Sequence, residues 1–163
     1  MDLYYAENPD KKKLSKFVYR NIKKLLKIAV SACLLGDDCK YNGGNNFSEK
    51  VAGFVEGHEV IPICPEVMGG LPTPREPSEI VNGVVRHKDG SSVDAEFRRG
   101  AELALKKVTG AGAELVILQS RSPSCGVREV YDGTFSGTLI SGQDIFAKLL
   151  TENNIKVIDV SEI

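Results

Sequence analysis

The chain has 163 residues, of which 42% are hydrophobic and 26% charged, and its formal net charge at pH 7 is −1. That length fits one domain with its own core, and no apolar stretch is long enough to span a membrane. Eight of the 21 Lys and Arg residues lie between Lys11 and Lys27, and acids outnumber bases downstream, which argues against binding a nucleic acid polymer through a basic body.

The first 26 residues are predicted to be a basic, amphipathic extension that precedes the domain. Apolar residues recur at helical spacing between Pro9 and Leu26, with lysines on the opposite face. We expect this segment to be an added N-terminal helix that packs on the domain, and binding to an anionic surface or a partner is the alternative. The domain itself is then residues 27–163.

Strand-like segments recur along the rest of the chain. The first is predicted at Lys27–Ala32, the second at Glu59–Ile63, the third at Glu114–Gln119 and the last at Lys156–Val160. A small hairpin is predicted between the second and third, at Asn82–Val93, with its turn at Asp89-Gly90.

Helices are predicted between these strands. One has apolar residues at helical spacing from Phe47 and stops at Gly57, and a second is expected to be capped by Asp94 and to end near Gly110. A third includes the apolar residues between Ile145 and Leu150. This alternation predicts an α/β protein: a single Rossmann-like domain with a mostly parallel sheet flanked by helices.

Three of the four cysteines follow predicted strands, in loops rich in Pro, Gly and Ser. Cys33 lies in SACLLG, Cys64 in ICPEVMGG and Cys125 in RSPSCG. Chemistry in an open α/β sheet gathers beyond the carboxyl ends of the strands, so these thiols are expected to meet in one site. The N-terminus shows no secretory signal, which predicts a cytoplasmic protein whose thiols stay reduced and form no disulfides.

Soft thiolates bind zinc, copper(I) or iron–sulfur clusters. The chain has no C-x-x-C pair of the kind typical of structural zinc sites. Ligands from three separate loops suit a larger group, such as a 4Fe–4S cluster held by three cysteines with one iron left open. A zinc site and separate buried cysteines are the alternatives.

A carboxylate and two guanidinium groups belong to the same set of loops. Glu66 follows Cys64 by two positions, where a carboxylate beside a metal could activate water or move a proton. Arg75, in LPTPRE, and Arg121 are candidates for binding an anionic or carbonyl-bearing substrate, because a guanidinium presents a rigid fork of donors.

Two serines and the fourth cysteine complete the candidates. Ser122 and Ser124 come directly before Cys125, where their hydroxyls could bond to a cluster, orient a substrate or cap the next turn. Cys39 follows Cys33 by six positions and could be a fourth ligand, a sulfur carrier or inert; we expect it near the site without being a ligand.

The ordered set of these segments resembles the thiouracil desulfurase family. The matching stretches, which run from about Val30 to Ser136, are VSACLLG with CKYNGG, PICPE with GGLPTPREPSEI, RSPSCG, and VYDGTFSG. Each motif alone is weak, but their order and spacing together are specific. The resemblance implies a 4Fe–4S cluster held by Cys33, Cys64 and Cys125, with the fourth iron open to the sulfur of a thiolated nucleobase.

The resemblance also implies a reaction. It is non-redox: C=S becomes C=O, water supplies the oxygen, and sulfide leaves. Glu66 and Ser122 fall at the positions of an acid–base carboxylate and a substrate-orienting hydroxyl, and the further candidates near the substrate are Arg75, Ser124 and Cys39. The expected partner is a small thiolated molecule, and the alternative is a zinc-binding or redox-sensing cysteine module without turnover.

Overall fold

The structure is a computed structural model that describes residues 24–163. The predicted N-terminal helix lies outside these residues as far as position 23, and residues 24–26 lead into the first strand without helix. In chain order the elements are β1 (Lys27–Ser31), α1 (Glu49–Val55), β2 (Glu59–Ile63), α2 (Pro65–Met68), β3 (Ser78–Val81), β4 (Val84–His87), α3 (Asp94–Ala111), β5 (Leu115–Leu118), β6 (Glu129–Tyr131), β7 (Leu139–Ser141), α4 (Ile145–Glu152) and β8 (Val157–Asp159).

A parallel sheet in the order β2-β1-β5-β8 forms the centre of the fold. All four residues of β5 are buried, and β1 is buried from its second residue onward, as expected for parallel strands covered on both faces. One face packs Ala29 and Val116 against α3 and α4, and the other packs Ile28 and Ile117 against α1. The predicted α/β class is therefore confirmed.

The hairpin predicted beside this sheet is present, and a second strand pairing that was not predicted precedes it. β3 and β4 pair in antiparallel fashion around Asn82 and Gly83, whose φ angles of 49° and 79° suit a two-residue type I′ turn. At the predicted turn, Asp89-Gly90, the chain also folds back: Arg86 and Ser92 form an antiparallel bridge, and the N–H of His87 donates to the carbonyl oxygen of Ser91 at 2.9 Å. Both dipeptides favour tight turns, and the pairing partner Ser78–Val81 lies outside the predicted hairpin.

The predicted cap of α3 is wrong, although the helix itself is confirmed. Val93 is the N-cap residue, and Asp94 is the first helical residue and caps nothing. Its carboxylate accepts the N–H of Val85 at 3.0 Å and the Nε–H of Arg98 at 2.6 Å, so it fastens β4 to the start of the helix. The helix buries its apolar stripe against the sheet and ends at a left-handed glycine, Gly112.

The backbones of α2 and α3 touch, and this contact fixes the segment that follows β2. A Cβ at Gly100 would lie 1.8 Å from the carbonyl oxygen of Pro65, and one at Gly69 would lie 2.0 Å from the carbonyl oxygen of Glu96. Only glycine fits at such distances. Within residues 24–163 no helix has both the length and the apolar character of a membrane span.

Gly100→Ala should destabilise the fold, because the added methyl group forces α2 away from α3. We expect the unfolding free energy to fall by about 2 kcal/mol or more. Gly110→Ala in the same helix is the matched control, since a Cβ there meets nothing within 4 Å. It should be neutral or raise stability by roughly 0.5–1 kcal/mol. Urea unfolding measures both, and equal effects would contradict the close contact.

Candidate cysteine-lined site

All four cysteines line one cavity of about 620 Å³ at the carboxyl ends of β1, β2 and β5. Cys33 lies in the 3₁₀ turn Ala32–Leu35 that follows β1, Cys64 follows β2 directly, and Cys125 lies in the loop after β5. All are free thiols. The structure thus brings the three predicted ligands together, and their role as ligands stays a prediction.

Two of these sulfurs receive a hydrogen bond from a nearby N–H group. The Nδ2–H of Asn46 donates to Cys33 Sγ at 3.7 Å. The backbone N–H of Val67, in the first turn of α2, donates to the Cys64 sulfur and opposes the rise that the Cys39 contact and burial cause in the pKa of that thiol. Such donors favour the thiolate, which is the form that binds a metal.

The third sulfur has a hydroxyl donor. Ser31 Oγ accepts the backbone N–H of Gln119 at 3.0 Å, and its own O–H donates to the sulfur of Cys125. Cys125 is only 5% exposed, and burial raises the pKa of its thiol. The three candidate ligands therefore share a feature of metal-site cysteines: each has a donor that orients its sulfur and stabilises its charge.

Cys39 hydrogen-bonds to two of the other thiols. Its contact with Cys33 lowers the pKa of Cys33 and raises the pKa of Cys39 to about 11. Its contact with Cys64, together with burial, raises the pKa of Cys64. Cys39 therefore lies beside both Cys33 and Cys64, which agrees with its predicted place near the site.

The predicted acid, Glu66, lines the cavity and is paired with Arg75. Arg75 Nη2 donates to Glu66 Oε2 at 3.0 Å, and the two side chains are 5% and 15% exposed. Burial raises the pKa of Glu66, and the charge of Arg75 opposes this rise. The same Nη2 donates to the carbonyl oxygen of Cys39 at 2.9 Å.

Arg75 consequently joins two loops of the site. Its Nη1 donates to the carbonyl oxygen of Pro72 and to Thr73 Oγ1, both at 3.1 Å, and it does not line the cavity. This placement differs from the predicted role as a substrate ligand. The sequence showed the guanidinium but could not show that both of its terminal nitrogens donate to the protein, while the buried Nε has no partner among the described residues.

The loop before Cys125 places its two serines differently. Ser122 lines the cavity, and its Oγ accepts the backbone N–H of Ser124 at 3.3 Å. Ser124 is 1% exposed, its hydroxyl has no hydrogen-bond partner among residues 24–163, and it does not line the cavity. Arg121 also lines the cavity. Its side chain is 55% exposed, and its Nη2 lies 3.7 Å from Glu129 Oε2. Ser122 and Arg121 therefore reach the predicted site, and Ser124 does not.

Several lining residues were not predicted from the sequence. Two of them, Ser31 and Asn46, donate hydrogen bonds to cysteine sulfurs. Three others line the side of the cavity formed by β3 and the β6–β7 hairpin: Glu79, Tyr131 and Phe135. A serine at the end of an otherwise apolar strand was a readable signal for Ser31. The motif VYDGTFSG contains two of the others, but nothing in it indicated a cavity.

The described residues offer no site for a single metal ion. Between positions 24 and 163, no three side chains among His, Cys, Asp and Glu have an arrangement that could hold one ion. One zinc ion needs every donor within about 2.3 Å of a single point, whereas a cluster gives each cysteine its own iron. Soft thiolates from three separate loops that line one cavity fit an iron–sulfur group.

A buried carboxylate packs against the loop that carries Cys125. Asp144 precedes α4 and is 3% exposed, and a Cβ at Gly126 would lie 2.2 Å from its Oδ2. Burial raises the pKa of Asp144 to about 8, with a further contribution from the charge of Glu66, and the Gly126 N–H opposes the rise. The sequence did not mark this residue.

Known proteins resemble this chain over nearly all of the described residues. The family model for 2-thiouracil desulfurase matches residues 28–162. YbbK of Bacillus subtilis (strain 168) is 38% identical over 146 residues, which cover 83% of this chain and 97% of YbbK. The solved structure of the 4Fe–4S-dependent thiouracil desulfidase TudS matches with a TM-score of 0.80 and 38% identity, covering 85% of this chain and 93% of TudS.

Asp144→Asn should change how stability depends on pH. The folded protein keeps a proton on Asp144 up to about pH 8, whereas the unfolded chain loses it near pH 4. Asp144 therefore lowers the free energy of unfolding as pH rises between those two values. We expect the variant to gain on wild type by about 1.4 kcal/mol for each pH unit between those two values, so that its advantage widens by about 2–3 kcal/mol between pH 5 and pH 7.

Urea unfolding of the cluster-free protein across this range measures the effect. Asp89→Asn, on a fully exposed carboxylate, is the control and should keep the wild-type pH profile. Parallel profiles for wild type and Asp144→Asn would show that the carboxylate titrates normally.

Proposed function

We propose, since the chain belongs to the 2-thiouracil desulfurase family, that it is an iron–sulfur enzyme that desulfurates a thiolated nucleobase or a similar small thiocarbonyl compound. The match to a 4Fe–4S-dependent thiouracil desulfidase supports a desulfurase that uses such a cluster. We also propose that residues 27–163 form the catalytic domain and residues 1–26 an extension. The family match, which begins at residue 28, supports that boundary.

The observation that carries the proposal is the convergence of Cys33, Cys64 and Cys125 on one cavity. We assign these three as the ligands of a 4Fe–4S cluster with one open iron. Each has its own hydrogen-bond donor, and their arrangement does not suit a single ion. This favours the cluster over the zinc alternative. In the described part of the chain Cys39 contacts two of the other thiols and receives no such N–H or O–H donor.

When bound, the cluster supplies a thiophilic Lewis acid for the sulfur of a C=S group. The protein supplies the rest of the reaction. Glu66 lines the cavity and takes a proton from the water that attacks the thiocarbonyl carbon. The C=S double bond is replaced by a C=O double bond, and the sulfur leaves as sulfide. Overall, C=S and water give C=O and hydrogen sulfide without any change of oxidation state.

Two side chains prepare this step. Arg75 holds one oxygen of Glu66 and so fixes the direction of the carboxylate. Ser122 presents a hydroxyl to the cavity beside Cys125, where it can donate to an acceptor of the heterocycle. The substrate is thus oriented by the loop that also carries a cluster ligand.

Glu66→Gln should separate cofactor binding from turnover. We expect the variant, reconstituted anaerobically with iron and sulfide, to keep the brown cluster absorption but to lose sulfide release from 2-thiouracil by about 100-fold or more, as for loss of a general base. Glu56→Gln, an exposed residue after α1, is the control and should match wild type. Full activity in Glu66→Gln would remove this residue from the mechanism.

Cysteine variants test the ligand assignment in the same preparation. Replacing Cys33, Cys64 or Cys125 by Ala should each reduce iron content and visible absorption sharply, because a cluster loses a ligand. Cys39→Ala should load iron like wild type. Iron loss in Cys39→Ala equal to that of the other three would make Cys39 a fourth ligand.

A further inference from the structure

The β6–β7 hairpin presents aromatic residues to the cavity that the cysteines line. Tyr131 ends β6, and Phe135 lies in the connecting loop, and both line the cavity and are half-buried. The proposed chemistry uses neither residue. An aromatic ring left half-exposed in a cavity offers a flat apolar surface to whatever enters.

The backbone at Phe135 has an uncommon conformation. Its φ of 56° is in the left-handed region, which is unfavourable for a bulky side chain. Such a conformation persists only where surrounding contacts enforce it, and it is concentrated at functional sites. The loop around it is ordered by its own polar groups, since Asp132 Oδ1 accepts the N–H of Thr134 at 2.9 Å and its Oγ–H at 2.6 Å.

The contact that enforces this conformation comes from Glu79 on β3. Glu79 Oε2 accepts the backbone N–H of Phe135 at 3.1 Å, and the residue is 8% exposed. A carboxylate is seldom buried to this extent unless it has a specific partner. Here that partner is the backbone N–H of Phe135, the aromatic residue of the loop.

A second contact fixes the loop against the same strand. Gly133 has a φ of 87°, and a Cβ there would lie 2.5 Å from the carbonyl oxygen of Ile80. The loop backbone therefore lies directly on β3, one residue along from Glu79. Two adjacent residues of β3 thus hold the loop at two points on either side of Thr134.

We propose that Phe135 is a specificity-determining residue that stacks on the ring of a planar thiolated heterocycle, and that Glu79 is a positioning residue that holds it there. The inference rests on the proposed function and adds the class of substrate: flat and aromatic rather than any thiocarbonyl. An aromatic face binds any base ring by stacking without reading its edge groups, so it selects for shape.

Steady-state kinetics of the reconstituted enzyme with 2-thiouracil test this proposal. Phe135→Leu keeps an apolar side chain but removes the aromatic face, and we expect KM to rise about tenfold, within the range found for losing one stacked base, with kcat within about twofold of wild type. Phe135→Tyr should restore the wild-type KM. Phe47→Leu is the matched control, because Phe47 is 55% exposed and does not line the cavity.

Glu79 variants test the positioning role. Glu79→Ala should raise KM as Phe135→Leu does, whereas Glu79→Gln, whose amide oxygen can still accept the N–H of Phe135, should remain close to wild type. The double variant Glu79→Ala with Phe135→Leu should be no worse than Phe135→Leu alone, since the two residues act through one ring. Cluster absorption should be equal in all of these proteins.

The possible failures can be told apart. Wild-type enzyme that carries a cluster but releases no sulfide from 2-thiouracil would overturn the proposed function and this inference with it. Active wild type with an unchanged KM in Phe135→Leu would overturn the stacking alone. A raised KM in Phe135→Leu with additive effects in the double variant would overturn the role of Glu79.

Discussion

The site depends on three neighbouring parallel strands that end at the same level. β1 lies between β2 and β5, with Ser31 opposite Ile63 and Val30 opposite Ile117. The chain leaves all three strands at this edge of the sheet, so the loops that follow begin close together in space. Three thiols that are far apart in the sequence thereby reach one cavity without any local metal-binding motif.

Close backbone contacts and a buried ion pair then hold these loops in place. The glycine contact between α2 and α3 seats the turn that carries Glu66, and Arg75 ties that carboxylate to the backbone of the Cys39 loop. Removing one partner of a buried ion pair leaves an uncompensated charge, which costs about 3–5 kcal/mol. The acid of the site is therefore placed by the fold before any cofactor or substrate binds.

The sequence predicted the elements that have a strong local pattern and missed those set by tertiary contact. β2 was predicted with its observed bounds, and the convergence of the cysteines followed from the rule for strand ends. The predicted turn at Asp89-Gly90 is present, whereas the pairing of β3 with β4 around Asn82 and Gly83 was missed, because Ser78–Val81 has no strong strand pattern of its own. The burial of Arg75 and the bond from Phe135 to Glu79 join residues remote in sequence, and no spacing rule reports such pairs.

The most direct test of the account is Mössbauer spectroscopy of the protein reconstituted anaerobically with iron-57 and sulfide. Three thiolate ligands and one open position make one iron of a 4Fe–4S cluster different from the other three. The account predicts that 2-thiouracil changes the signal of that single iron and leaves the remaining three unchanged. A spectrum with four equivalent irons that does not respond to 2-thiouracil, or a protein that retains only mononuclear metal, would contradict it.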